Sequence, residues 1–136
     1  MVGAFRFFKQ TAGQGYFAEV GVELAPAVPA VPAVVEGEPE VTPEVTFDTD
    51  HQSSLPAEWL AAAERGCRDA LAALGSVTPL AGQRFNVRIM RLVYTWVDTT
   101  ADAVYAASYL AVVSAAGMQS RFELYRDTKW RVRTRA

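Results

Sequence analysis

The stretch KQTAGQGYFAEV, Lys9 to Val20, decides the fold, because it joins two apolar segments through a short loop with two glycines. Phe5 to Phe8 precedes the loop and is aromatic, whereas Tyr16 to Leu24 follows it and alternates. Such alternation is typical of a strand that buries one face. The two faces carry Ala18, Val20, Val22 and Leu24 on one side and Phe17, Glu19, Gly21 and Glu23 on the other. We therefore predict a β-hairpin.

Length and composition indicate one domain, spanning residues 1–136. A domain of this size buries roughly two thirds of its unfolded surface, so it can hold a core without disulfides. The single cysteine, Cys67, has no partner within the chain. No run approaches the ~18 apolar residues of a membrane span, and the first residues lack the apolar core of a secretory signal. We expect a soluble, cytoplasmic protein with no membrane partner.

Charge is divided unevenly along the chain, although the formal net charge is only −2. Ten acidic residues and no Lys or Arg lie between Gln10 and Glu64, whereas eleven basic and five acidic residues follow from Arg65 onward. Folding brings the two halves together. Mutual neutralisation is the simpler interpretation, and a basic nucleic-acid groove is the alternative.

An acidic, proline-rich insertion occupies residues 26–44, where five prolines disfavour regular helix or central strand. After a short extended piece, SSLPAEW predicts a helix start, with Ser54 as the cap and Pro56 in the first turn. The helix should run to Leu74 and end at Gly75. Its core-facing stripe would be Leu60, Ala63, Cys67, Leu71 and Leu74.

A third strand is predicted over Arg84 to Val97, and its alternation changes phase near Met90 and Arg91, which predicts a β-bulge there. VDTTAD then predicts a helix N-terminus, with Thr99 or Thr100 as the cap.

The last helix is apolar on nearly every side and must be covered nearly everywhere. The insertion, the C-terminal segment or a second copy of the chain could cover it. A homodimer would use a self-association face made of Val104, Tyr105, Tyr109 and Val112. The C-terminal extension, residues 118–136, alternates and predicts a further strand or hairpin with a basic surplus.

Four ordered motifs resemble domain IV of translation elongation factor G. KQTAGQGYF is similar to the family's Lys/Arg-Gln-Thr-Gly-Gly-Arg-Gly-Gln-Phe/Tyr opening, and LPAEWLAAAERGCRDAL to its Pro-x-x-Tyr-x-x-Ala-x-x-x-Gly helix. PLAG matches the loop after that helix, and VDTTADAVYAASYLAV is similar to Val-Asp-Ser-Ser-x-x-Ala-Phe-x-x-Ala-Ala. The resemblance covers most of residues 5–116, and it leaves the insertion and the C-terminal extension without a counterpart.

The resemblance implies a two-layer α+β fold like domain 2 of ribosomal protein S5. That fold has a four-stranded sheet, two helices on one face and a left-handed βαβ crossover. It also implies that the glycine-rich loop lies at a tip that enters the decoding region of the small ribosomal subunit. The tip residues would be Lys9, Gly13, Gln14, Gly15, Tyr16, Trp96 and Asp98.

The chain departs from the family at this tip. Gln14 stands where the family has Arg, Ala12 where it has Gly, and the second tip loop is shortened to Thr95-Trp96 without the family's His. No stretch resembles Gly-x-x-x-x-Gly-Lys-Ser/Thr, so we expect no bound nucleotide and no GTPase activity in this chain.

The first functional hypothesis is a non-catalytic module that binds the small ribosomal subunit or rRNA. The alternative is a protein-interaction or self-associating scaffold that kept the fold but lost the tip chemistry. A separate, simpler interpretation of the loop is a hairpin turn in which the glycines provide positive φ. We expect no enzyme activity, no cofactor and no metal. His51 could pair with Asp48 or Asp50, but the sequence has no second histidine, and these residues do not have the spacing typical of a metal site.

Overall fold

Two helices pack on one face of a four-stranded sheet, and a two-stranded sheet lies beside them. This computed structural model describes residues 1–11, 14–26, 44–48, 55–75 and 85–135. The expected α+β fold class is confirmed. Residues 27–43 of the proline-rich insertion lie outside the described residues, as do Ser54, Asp50 and His51.

The main sheet contains β1 (Val2–Thr11), β2 (Gln14–Pro26), β3 (Val45–Phe47) and β4 (Phe85–Val93), in the order β1-β2-β4-β3. β1 and β2 form the predicted antiparallel hairpin, and β2 pairs antiparallel with β4. β3 pairs parallel with β4, so the helix between them is a crossover. Its left-handedness stays a prediction from the resemblance.

The predicted bulge is confirmed on β4. Val22 pairs with Ile89 and Gly21 pairs with Arg91, which leaves Met90 as the extra residue. Ile89 and Leu92 are buried whereas Met90 and Arg91 are exposed, so the extra residue restores the apolar phase. A bulge bends its strand locally. β4 ends at Val93 rather than continuing to Val97 as the sequence predicted.

The first helix, α1, runs over Ala57–Leu74 and ends at Gly75, as predicted. Pro56 is its N-cap residue, and no side chain caps it with a hydrogen bond. The predicted core stripe is partly wrong, because Leu60 and Leu71 are only half-buried. The fully buried residues are Trp59, Ala62, Ala63, Gly66, Cys67, Ala70 and Leu74.

The buried face of α1 differs from the predicted stripe because small residues face the second helix. α1 packs closely on the second helix, α2 (Ala101–Ala115), and a Cβ placed on Gly66 would lie 2.4 Å from the Tyr105 carbonyl oxygen. Leucines at the same positions would hold the helices apart. Cys67 follows Gly66 and is buried, and burial raises the pKa of its thiol to about 12.

Thr100 caps α2, as one of the two predicted candidates, because its hydroxyl oxygen accepts a 3.3 Å hydrogen bond from the Ala103 amide. Eleven of the fifteen residues of α2 are buried, which confirms that the helix is covered nearly everywhere. β1 and β2 lie beneath it, α1 lies beside it and the C-terminal strands lie over it.

The cover is a hairpin of the chain itself, made of β5 (Phe122–Arg126) and β6 (Trp130–Thr134). We call it the C-terminal hairpin. The Phe122 ring lies 5.7 Å from the Tyr109 ring, and the Trp130 ring lies 4.9 Å from the Phe7 ring. A short 3-10 turn at Gln119–Arg121 leads into it.

This hairpin corrects the expectation of a self-association face on α2. Val104, Tyr109 and Val112 are buried within the single chain, and Tyr105 is half-buried. Their side chains are therefore not presented to a second copy in this structure. The C-terminal hairpin covers part of α2 within the single chain.

The open face of the sheet joins the acidic and basic halves of the sequence. Arg88 lies 3.3 Å from Glu23 and 3.5 Å from Asp48, and Arg91 lies 3.4 Å from Glu19. All of these pairs are solvent-accessible, where each contributes little to stability. They provide the mutual neutralisation that the charge division predicted for this part of the chain. Among the described residues, no helix is long and apolar enough to cross a membrane.

Candidate nucleic-acid interface

The end of the β1–β2 hairpin and residues 95–99 lie side by side, and together they form what we call the tip. The Phe17 amide donates a 3.0 Å hydrogen bond to the Asp98 carbonyl oxygen. The Thr99 hydroxyl donates to the Phe17 carbonyl at 2.7 Å and accepts from the Thr95 amide at 2.8 Å. Buried Thr99 therefore fixes the second loop of the tip on the first.

Gly15 lies in a strand without a positive φ, and its constraint is the close approach of the Asp98 side chain. A Cβ at this position would lie 3.3 Å from Asp98 Oδ1, which is a tight contact. Among the described residues, only Gly117 has a positive φ. The alternative interpretation, in which the glycine serves a turn with positive φ, is therefore wrong for Gly15, whereas Gly13 lies outside the described residues.

An aromatic cluster stands on the helix side of the tip. Trp96 is 66% exposed, and its ring lies 5.4 Å from the buried Trp59 ring at an interplanar angle of 33°. The Tyr94 ring contacts both, at 5.2 Å from each. Val97, next to Trp96, is 87% exposed. One tryptophan thus supports another whose ring faces solvent.

A second aromatic group lies on the open face of the sheet, close to the same end. Phe8 is 61% exposed and meets Phe17 edge to face at 6.4 Å. The Arg6 guanidinium lies 5.6 Å from the Phe17 ring centroid. Sequence reasoning did not nominate this group, although the alternation that buries Ala18 also places Phe17 on the open face.

Tyr16 was predicted as a tip residue, but its side chain is buried. It is only 6% exposed, and its ring lies 5.7 Å from Trp130. Arg126 donates a 3.0 Å hydrogen bond to its hydroxyl oxygen. The expectation that Tyr16 is free to stack on RNA is therefore corrected. Its place in the β2 alternation, on the same face as Ala18, already indicated this inward position.

The remaining tip residues keep positions consistent with a surface site. Lys9 is exposed and pairs across the hairpin with Tyr16, and Asp98 is half-buried against Gly15. The Gln14 backbone pairs with Thr11 at the end of the strands. In the described ranges, no group of three His, Cys, Asp or Glu residues is arranged to hold a metal ion.

Comparison with known proteins gives the fold alone. No family profile and no curated protein matches the chain. Among solved structures, the chain is similar to a protein from Thermus thermophilus, with a TM-score of 0.59 and 19% sequence identity. The match covers 96% of this chain and 22% of that protein, so the present chain spans a small part of its length.

Proposed function

We propose that the chain is a non-catalytic module that binds RNA or the small ribosomal subunit through its tip. The observation that carries the proposal is the exposed Trp96 ring, supported by Trp59 and held beside the hairpin end by Thr99. The resemblance to elongation factor G domain IV supports the same surface, because the four motifs assign the tip to the ribosome. The α+β fold is compatible with that resemblance.

The chemistry of the tip suits a single-stranded or looped RNA. An exposed aromatic ring stacks on an unpaired base, and alanine substitution of such a ring costs about 1–3 kcal/mol per base. Phe8 offers a second ring, with Arg6 beside it. Lys9 supplies a positive charge for a phosphate near the hairpin end. The exposed rings provide most of the binding, since the family's loop arginine is replaced by Gln14.

The test is co-sedimentation of the purified chain with separated small subunits, at about 50 and about 200 mM salt. We expect the wild type to pellet with the subunits and to do so less at the higher salt. Trp96→Ala should weaken binding by about 5- to 150-fold, which corresponds to the loss of one stacked base. Val2→Ala is the control, because Val2 is 75% exposed at the opposite end of β1.

Two results would overturn the proposal. One is no pelleting of the wild type even at low salt, and the other is equal binding by the wild type and Trp96→Ala with both chains folded. A loss shared by Val2→Ala would show that the effect is not located at the tip.

A protein partner at the tip is the second candidate, favoured by four exposed apolar side chains near this end. They are Phe8, Val93, Trp96 and Val97. Salt separates the two candidates, because contact with RNA phosphates weakens as salt increases and apolar docking does not. Binding that is unchanged between the two salt concentrations but lost in Trp96→Ala would favour the protein partner.

A further inference from the structure

A second candidate site lies outside the tip, in a cleft of about 260 Å³ between α1, α2 and the C-terminal hairpin. We call it the hairpin cleft. Its walls include three cationic side chains and two tyrosines, namely Arg65, Lys129, Arg131, Tyr105 and Tyr125, with Asp102 as a carboxylate in the wall.

We propose that the hairpin cleft binds a backbone phosphate of a single-stranded nucleic acid. The inference rests on the proposed function, since the same RNA would supply the phosphate. It adds a contact in a part of the chain that has no counterpart in the elongation factor G resemblance.

Three cations converge on the cleft from separate elements, and one of the three is in an ion pair. Arg65 comes from α1, and Lys129 and Arg131 come from the C-terminal hairpin. Arg131 pairs with Asp127 at 3.0 Å, but in the described part of the chain no ion pair holds Arg65 or Lys129. Like charges that face one cleft repel each other, and a bound anion offsets that repulsion because it attracts each cation.

Asp102 is already committed to structural hydrogen bonds. Its Oδ1 accepts a hydrogen bond from the Thr100 hydroxyl, and its Oδ2 accepts one from the Trp130 amide at 2.8 Å. Asp69, one turn after Arg65 on α1, accepts a hydrogen bond from the Tyr105 hydroxyl. Burial and, after it, that bond raise the pKa of Tyr105, so the tyrosine stays neutral. Both carboxylates are therefore fixed in the cleft wall by these hydrogen bonds.

Trp130 explains why the two hairpin cations are held at the cleft. Its amide is fixed on Asp102, and its ring packs against Phe7 and Tyr16. Lys129 and Arg131 flank this anchored residue on either side. An arginine and a lysine at such a site bind phosphate by charge-assisted hydrogen bonds.

The cleft and the tip lie at the same end of the molecule. Arg126 of the C-terminal hairpin bonds to the hydroxyl of Tyr16, and Tyr16 follows Gly15 of the tip. Asp102 lies three residues after Thr99, the last residue of the second tip loop. One RNA strand can therefore place a base on Trp96 and carry its backbone toward the cleft.

The experiment measures binding of the whole chain to a labelled single-stranded RNA of about ten nucleotides by fluorescence anisotropy, at several salt concentrations. The test variant is Arg65→Gln with Lys129→Gln. The matched control is Arg88→Gln with Arg91→Gln, which removes the same charge from the open face of the sheet. We expect about tenfold weaker binding in the test variant, and a reduction of about 0.7 in the salt slope, as for one lost phosphate contact.

An NMR titration with inorganic phosphate gives a second measurement. We expect the Nε resonances of Arg65 and Arg131 to shift in the wild type, and those of Arg88 to stay in place. Phosphate shifts with unchanged RNA affinity in the test variant would overturn the nucleic-acid assignment and leave a free-phosphate site. Equal RNA binding by the test variant and its control, without phosphate shifts, would overturn the proposal completely.

Failure of this inference is distinguishable from failure of the proposed function. If Trp96→Ala abolishes subunit binding while the cleft variant pellets normally, the tip function stands and the cleft proposal is wrong. If the wild type binds neither RNA nor subunits, the proposed function and the cleft proposal are both wrong.

Discussion

The α1–α2 seam and the tip use space in opposite ways. In the seam, small residues let two backbones touch, so that Gly66 has no room for a methyl group. At the tip, large aromatic and apolar side chains face solvent, with Trp96 and Val97 mostly exposed. A buried site without free volume is explained by stability alone, whereas exposed rings that add little to stability need another explanation. The contrast separates the residues that stabilise the fold, in the seam, from those that are exposed for a partner, at the tip.

Gly66→Ala should break the seam and give the largest loss of stability. The new Cβ would lie 2.4 Å from the Tyr105 carbonyl oxygen, a backbone atom that cannot move without its helix. We expect about 2–3 kcal/mol of destabilisation in urea unfolding, even though alanine favours helix more than glycine does. Gly75→Ala is the control, since its nearest neighbour would be at 3.4 Å, and it should be neutral or slightly stabilising.

The reactivity of Cys67, the buried residue next to Gly66, gives an independent measure of how tightly α1 packs. Burial raises the pKa of its thiol to about 12, so at pH 8 the native protein contains little reactive thiolate. A thiol reagent should modify the Gly66→Ala variant faster than the wild type. Equal rates and equal stability in the two chains would show that the helices can separate without cost.

Thr99→Val should loosen the tip from the sheet. The substitution keeps the shape of the side chain but removes both the donor to the Phe17 carbonyl and the acceptor for the Thr95 amide. Two partly buried backbone groups lose their partners, which should cost about 1–2 kcal/mol. Thr128→Val, on the exposed turn of the C-terminal hairpin, should change the unfolding free energy by less than about 0.5 kcal/mol. Matching losses in both variants would contradict a special role for Thr99.

Trp96→Ala should have the smallest effect on stability and the largest on binding. Its ring is mostly exposed, and the substitution removes its contacts with the Trp59 and Tyr94 rings, which together should cost about 1 kcal/mol. Thermal and urea unfolding of this variant measure that loss. A destabilisation as large as that of Thr99→Val would mean that Trp96 is structural, and the contrast between seam and tip would fail.

Local patterns predicted much of the fold. The β2 alternation placed Val20 and Val22 in the core, the change of phase near Met90 located the bulge, and VDTTAD located the N-terminus of α2 at Thr99 or Thr100, of which Thr100 is the cap. Each of these features depends on neighbours within a few residues, which is why sequence alone was sufficient.

Features that depend on distant residues were predicted less well. Periodicity on α1 favoured Leu60 and Leu71 as core residues, because it could not show that α2 approaches most closely at Gly66. The cover of α2 could not be chosen among three candidates without the contact between Phe122 and Tyr109. At the site, Trp96 is exposed and Tyr16 is buried. The β2 alternation indicates that Tyr16 points inward, but it does not show that Trp130 from the far end of the chain packs on it.

The order in which the domain is synthesised gives the C-terminal hairpin one more consequence. A ribosome completes α2 before it makes β5 and β6, so for a time Tyr109 lacks Phe122, and Phe7 and Tyr16 lack Trp130. During that interval the nascent chain exposes an apolar surface, which chaperones bind and which promotes aggregation. Docking of the hairpin removes that surface, so any delay between the synthesis of α2 and that of the hairpin exposes the domain to aggregation.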